Sequence, residues 1–477
     1  MLEKLKYALL LALLLAFCAC SKDPDFFHPL PGSGIGNTPP SRVPDNEIRR
    51  VLLLYSCGFN SLSSSLRGDI DELLSGKLPG TEREEDVILV FGHHVTKSYS
   101  VPSEAVLMRL YQENGEPVRD TLRTWPAGTV SASSATLGEV LGLVRRDFPA
   151  REYDLIFSSH ATGWLPVSYY GGRDGGYEFV PTSVPDGCLS PEAISGECLA
   201  QDPMSGECLA QDPMSGERLA QDPLSGEYFV VDPFTGGPLT RTIGETLFGS
   251  SGNYTVYNIE LENFARAIPM KLNTIIFDCC LMGGVEVASA LKDKCNYIVF
   301  SPAEVLSDGM DYTTLFEHFY ASYTSDPVQV AEDYYSVYDR KTGVNRSATV
   351  SVVDCSKVKG LEECVASLME TCGDAFRVLD GRGVQQYYRY NYPYFFDLRD
   401  AFDKAGVSPE GLAALDRAID DCVIYRKATD SFLVGYGGFE IDCYSGLSCY
   451  LPGAVSDSGL DMAYASGTWN RAVGVIR

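Results

Sequence analysis

The sequence predicts an α/β fold built on a mostly parallel central sheet, and two observations carry that prediction. From residue 50 onward, short uninterrupted apolar runs alternate with stretches of helical periodicity, which is the pattern of βαβ units. The runs are apolar on both alternating faces, as strands covered by helices on each side must be.

Taken in order, the runs are "VLLLYSC" (51–57), "DVILVFGHH" (86–94), "YDLIFSSH" (153–160), "NTIIFDCC" (273–280) and "NYIVFS" (296–301). Amphipathic candidates lie beside them, among them "TLGEVLGLVRRDFP" and "GGVEVASALKDK". An insertion at 173–241 interrupts the order. Within it, "SGECLAQDPM", "SGECLAQDPM", "SGERLAQDPL" and "SGEYFVVDPF" repeat head to tail over 195–234. Each unit carries the turn formers Asp-Pro and Ser-Gly and too few apolar residues for a core of its own, so we read a loop in preference to a small stack of turns. The last 130 or so residues are rich in Tyr, Phe and Gly, with no linker-like stretch before them, and read as a second α/β lobe, 346–477, packed on the first.

The N-terminus has the grammar of a secretory signal. Two lysines precede an apolar run from Ala8 to Phe17 that is too short to span a bilayer, and small residues follow. Cys20 sits behind Ala19 as in a bacterial lipobox, which predicts a signal peptide at 1–19, a lipid on Cys20 and a flexible Pro/Gly/Ser spacer at 20–47. The expected location is the bacterial outer membrane, reached by export. The acids just after the cysteine resemble the surface-export signal of Bacteroidetes lipoproteins.

At 477 residues, 45% hydrophobic and 21% charged, the chain has an ordinary globular composition. Its net charge is −26, and removal of residues 1–19 (Glu3, Lys4, Lys6) takes away a net +1 to leave −27. Nucleic acid and anionic lipid surfaces are therefore poor partners, because the summed field repels them, whereas a cationic substrate is steered inward. Of fifteen cysteines, thirteen remain after Cys18 and Cys20, an odd number that leaves at least one thiol unpaired in a monomer. No cysteine or histidine spacing forms a metal site, the adjacent His93 and His94 included, and no cofactor is called for.

Two strands end in reactive side chains, His160 and Cys280. Ligands gather beyond the carboxyl ends of strands in an open parallel sheet, so residues delivered there by different strands can meet. A thiol needs a base or a cationic neighbour to become a thiolate, and a helix N-terminus near Gly283 or Gly284 adds to that stabilisation. Strand alternation places Asp278 and Cys280 on one face and Cys279 on the other.

These residues carry a resemblance. "YDLIFSSHATGW" and "FDCCLMGGVEVASAL" resemble the two signature blocks of the clostripain family of cysteine peptidases, relatives of caspases, gingipains and legumain. "VLLLYSCGFNSLSSSLRGDIDEL", "YIVFSPAE", "YFFDLRDAF" and "GLSCYLP" agree with further blocks in the same order, over roughly residues 48–475. The resemblance implies a caspase-like three-layer sandwich for 48–345, with the C-terminal lobe beyond it. It also implies a Cys280/His160 dyad for peptide hydrolysis and an oxyanion site at the backbone N–H groups of Cys280 and Ala161. By the same resemblance, Asp278 lines a pocket for Arg or Lys before the scissile bond; Glu304 and Asp308 are added from their place in the loop after the next strand, within reach of that pocket. Members are commonly cut between the two blocks, which makes Arg173, Arg218 and Arg241 candidate processing sites, Arg173 first. "HATGW" departs from the glycines that usually follow the family's histidine. That departure feeds the alternative of a catalytically impaired surface scaffold, because a positive φ at residue 161 would suit Ala161 poorly.

Overall fold

The computed structural model describes residues 48–81, 86–166, 243–250, 253–389, 393–455 and 457–477, together with the backbone of short strands at 177–179, 200–201, 208–209, 218–221 and 228–231. Cys20, the signal at 1–19 and the spacer at 20–47 lie outside the described residues, as do Arg173, Arg241 and the side chain of Arg218.

Nine strands form the central sheet: β1 (Ile48–Gly58), β2 (Asp86–His94), β3 (Ala105–Glu113), β4 (Glu116–Trp125), β5 (Ala150–Ser158), β6 (Leu272–Asp278), β7 (Cys295–Phe300), β8 (Thr349–Asp354) and β9 (Val423–Ala428). Their spatial order is β9-β8-β7-β6-β5-β1-β2-β3-β4. All five apolar runs are strands, and they are the contiguous parallel block β7-β6-β5-β1-β2. An antiparallel pair extends the block on each side, β3 with β4 beyond β2 and β8 with β9 beyond β7. The C-terminal stretch 346–477 thus supplies two strands to the central sheet as well as packing on it.

Helices cover the block in two sets. In one, α1 (Ser63–Ser75) packs on α5 (Tyr312–Phe319), and α5 on α6 (Pro327–Asp339). In the other, α2 (Ser134–Asp147), α3 (Leu261–Ala267), α4 (Val285–Leu291), α7 (Val358–Arg377) and α8 (Pro409–Cys422) pack in succession. Sheet and helices together make the three-layer α/β architecture. Local chemistry sets the helix ends: Ser133 caps α2 by accepting from the Thr136 N–H at 3.1 Å, and Arg145 and Arg146 complement the dipole in its last turn. Among the described residues, no helix is long and apolar enough to cross a membrane.

Within the insertion, the backbone at Arg218–Gln221 pairs antiparallel with Tyr228–Val231, and Ala200–Gln201 with Cys208–Leu209. Each decapeptide thus contributes a short strand where we expected a loop. In the sequence, the Asp-Pro and Ser-Gly turn formers fall between consecutive strands.

Candidate active site

β5 and β6 are neighbours in parallel register, with Ser158 opposite Asp278. Two residues beyond each of these positions stand His160 and Cys280, and both line one open cleft of about 830 Å³ at the carboxyl ends of the strands. The cleft wall also includes Asp69, Ala161, Asp278 and, from the C-terminal stretch, Arg389.

The His160 loop is fixed from three directions. Its carbonyl accepts from the Gly244 N–H at 2.9 Å, and Ala161 bridges Ile243. Before it, Ser159 Oγ donates to Cys57 O at 2.7 Å and accepts from the Glu245 N–H at 3.1 Å, which ties the loop to the end of β1. The ring Nε2 lies 2.8 Å from Ser61 Oγ.

The two adjacent thiols differ sharply. Cys279 is buried at 1% exposure and donates to Phe157 O at 3.1 Å, and burial pushes its thiol well above the usual range. Cys280 is half-buried on the cleft, with its Sγ 3.4 Å from the Val305 N, a donor that a thiolate can accept from. The next residue, Leu281, has φ 63°, a left-handed conformation that costs roughly 1–3 kcal/mol in a bulky residue and persists only where surroundings fix it. Here the Leu281 N–H donates to Ala303 O at 2.9 Å and the Gly283 N–H to Ser301 O at 2.8 Å.

The departure from the family's glycines after the histidine proves harmless to the backbone. Ala161 is absent from the positive-φ residues, and it is Gly163 that adopts φ 61°. A Cβ on Gly163 would fall well inside contact distance of Leu281 O, so the loop after His160 and the turn after Cys280 meet backbone to backbone. Gly163→Ala is accordingly expected to destabilise the chain by about 2 kcal/mol, read as a lowered denaturation midpoint.

Asp278 is 7% exposed and anchored at the cleft floor. Tyr312 Oη donates to its Oδ2 at 2.8 Å and Ser158 Oγ at 3.3 Å. Gly309, with φ 58°, lies so close that a Cβ there would sit 2.9 Å from the same oxygen. A second acid that the motif reading missed, Asp69 of α1, joins it at equal burial. Burial raises both carboxyls, and for Asp69 the Asp278 charge adds to the effect, whereas the Tyr312 and Ser158 hydrogen bonds hold Asp278 back. A signal for Asp69 was present in the sequence. The buried positions of α1 are Ser63, Leu66, Asp69, Ile70 and Leu73, so this acid stands on the apolar stripe of its helix.

The other expected pocket acids are placed differently. Glu304 lines the cleft, but Arg389, 2% exposed, grips it with Nε at 2.5 Å and Nη2 at 3.0 Å, so its charge is already matched within the chain. Asp308 is exposed and pairs with Lys341 Nζ at 2.7 Å, outside the cleft lining. The adjacent histidines also stand apart from the cleft: His93 lies 2.8 Å from Ser131 Oγ and His94 2.8 Å from Ser56 Oγ, and burial lowers both rings, to about 4 and about 3.

A parallel block flanked by antiparallel pairs, with a thiol and an imidazole at adjacent strand ends, defines the class as a cysteine peptidase of caspase-like fold. Residues 250–429 match the sequence model of the clostripain family, and the recognition made from the motifs is borne out there. That stretch contains Asp278 and Cys280 and begins after His160. Among curated proteins, none matches. The fold is shared with an inactive zymogen C11 protease from Parabacteroides distasonis, 22% identical, with a TM-score of 0.63 over 90% of this chain and 99% of that one. It is shared also with a secreted C11 cysteine protease from Bacteroides thetaiotaomicron, 19% identical, with a TM-score of 0.62 over 90% and 99%. It is shared as well with a secreted C11 cysteine protease from Bacteroides thetaiotaomicron in complex with an irreversible peptide inhibitor, 20% identical, with a TM-score of 0.62 over 89% and 98%.

Proposed function

We propose that the chain is an exported cysteine endopeptidase, lipid-anchored at Cys20, that cleaves after Arg or Lys through Cys280 and His160. The observation that carries this reading is one cleft holding the thiol, the imidazole and two buried carboxylates, Asp278 and Asp69. In the reaction, His160 takes the thiol proton as Cys280 Sγ attacks the scissile carbonyl carbon. The oxyanion that forms lies against the backbone N–H groups of Cys280 and Ala161. Collapse breaks the C–N bond, His160 returns its proton to the leaving amine, and the acyl group stays on sulfur. Water, losing a proton to the same imidazole, then releases the carboxylic acid and restores the thiol.

The side chain before the scissile bond enters beside Asp278 and Asp69, where a guanidinium or ammonium supplies the missing countercharge. Cleavage within the insertion, at Arg173 before Arg218 or Arg241, activates the enzyme. Export and the anchor rest on the N-terminal pattern, and the description of a similar fold as a secreted protease supports export. The scaffold alternative loses its main support, because Ala161 carries no positive φ.

The test uses the chain from Cys20 onward with fluorogenic peptides ending in Arg, Lys, Asp or Asn, with and without a thiol alkylator. Turnover of the Arg and Lys peptides alone, abolished by alkylation, is the expected result. No turnover of any peptide, even after limited proteolysis of the insertion, would return the scaffold reading. Cleavage after Asp would overturn the pocket assignment and spare the dyad.

A further inference from the structure

The turn after Cys280 is held from behind by the C-terminal stretch. The Ser448 N–H donates to Gly283 O at 2.9 Å, and Gly284 and Ser448 form a parallel bridge. Glu286, in the first turn of α4 and 5% exposed, accepts at Oε1 from the Tyr450 N–H at 3.1 Å and from Tyr464 Oη at 2.8 Å. The same two tyrosines carry the histidine loop. The Trp164 ring packs on Tyr450 at 4.8 Å and on Tyr464 at 4.9 Å between centroids. One tyrosine pair therefore supports both halves of the dyad, the thiol turn through a carboxylate and the imidazole loop through an indole.

Packing alone does not account for an acid here. Glu286 Oε2 and Ser448 Oγ are buried with no hydrogen-bond partner in the structure. Both border one spot, since a Cβ on Gly284 would lie 2.6 Å from the first and 3.5 Å from the second. A buried carboxylate with an idle oxygen is a costly filler compared with an apolar side chain of similar volume. What it holds is the segment containing the left-handed Leu281, a conformation that persists only when its surroundings over-determine it.

We infer that Glu286 is a positioning residue for Cys280: with Tyr450 and Tyr464 it clasps the nucleophile turn to the C-terminal stretch, so the reactivity of the thiol depends on residues 448–464. This rests on the reading of Cys280 as the nucleophile.

The test compares the full chain with Tyr464→Phe, Glu286→Ala and Glu286→Gln. The readouts are the iodoacetamide alkylation rate of Cys280, followed by peptide mass, then kcat and KM on an Arg peptide, and the thermal midpoint. Loss of the Tyr464 hydrogen bond is expected to slow alkylation and kcat about five- to tenfold in Tyr464→Phe, and loss of both bonds at least as much in Glu286→Ala, with KM unchanged within about twofold. Glu286→Gln, which keeps an acceptor for both donors, restores most of the rate. Alkylation and kcat within about twofold of wild type in Tyr464→Phe, beside a lowered midpoint, would make Glu286 a packing residue and overturn the inference. Tyr464→Phe against Glu286→Gln carries the comparison if Glu286→Ala does not fold. A wild-type chain that hydrolyses peptides with Cys280 unreactive instead overturns the nucleophile reading, and the inference with it.

Discussion

Cys280→Ala is expected to abolish hydrolysis of Arg and Lys peptides, by at least about 10³-fold in kcat, because it removes the sulfur on which the proposed acyl intermediate forms. Cys279→Ala is the informative partner. It removes a thiol that is 1% exposed and donates to Phe157 O, so it should cost about 1 kcal/mol of stability and leave kcat within about threefold. Active-site titration with a peptidyl alkylator, followed by mass mapping, checks both variants. Label on Cys279, or full activity in Cys280→Ala, would reverse the assignment of the two sulfurs. The Cys280→Ala chain also decides processing: if it yields the same fragments as wild type, cleavage of the insertion is not self-inflicted.

The second large effect concerns the acids. Asp278→Asn is expected to lower kcat/KM for Arg and Lys peptides by about 10- to 100-fold, the equivalent of one charge-assisted hydrogen bond, and Asp69→Asn by about tenfold. A peptide with a neutral residue before the scissile bond should lose nothing. The pH dependence has a definite sign. Both carboxyls are raised, chiefly by burial, so in the empty cleft their charged forms are disfavoured. A bound cation favours those charged forms, so KM for an Arg peptide should fall as pH rises up to about 9, the value to which Asp69 is pushed, with Asp278 at about 6, and the upper part of that dependence should vanish in Asp69→Asn. A KM that rises with pH, or Asp69→Asn acting equally on neutral peptides, would remove Asp69 from the pocket.

The parallel block was legible because burial on both faces writes an unbroken apolar run, and all five such runs are its strands. The flanking strands were less visible. β4 is exposed almost throughout and β3 alternates, so neither looks like a core strand. Yet the hairpin joining them was written in "ENGE": Asn114 and Gly115 have φ of 52° and 86°, the turn that an Asn-Gly pair favours. β8 and β9 read as part of another lobe because helices α7 and α8 separate them, and adjacency in a sheet leaves no trace in composition. In the site, the strand ends announced His160 and Cys280, whereas Glu304 and Asp308 were chosen by nearness in sequence. Whether an acid faces a cleft, Arg389 or Lys341 depends on partners more than thirty residues away in the chain. Asp69 was recoverable only by asking why an acid interrupts the apolar stripe of α1.

β5 and β6 lie side by side, yet the insertion at 173–241 falls between them in the chain. Their union depends on ladder hydrogen bonds and shared core, not on the connecting peptide. A chain severed in that segment would therefore persist as a two-polypeptide assembly under native conditions, with the imidazole on the N-terminal piece and the sulfur on the C-terminal piece. Each piece alone would carry one residue of the proposed dyad, and separating them under denaturing conditions would divide that pair between two molecules.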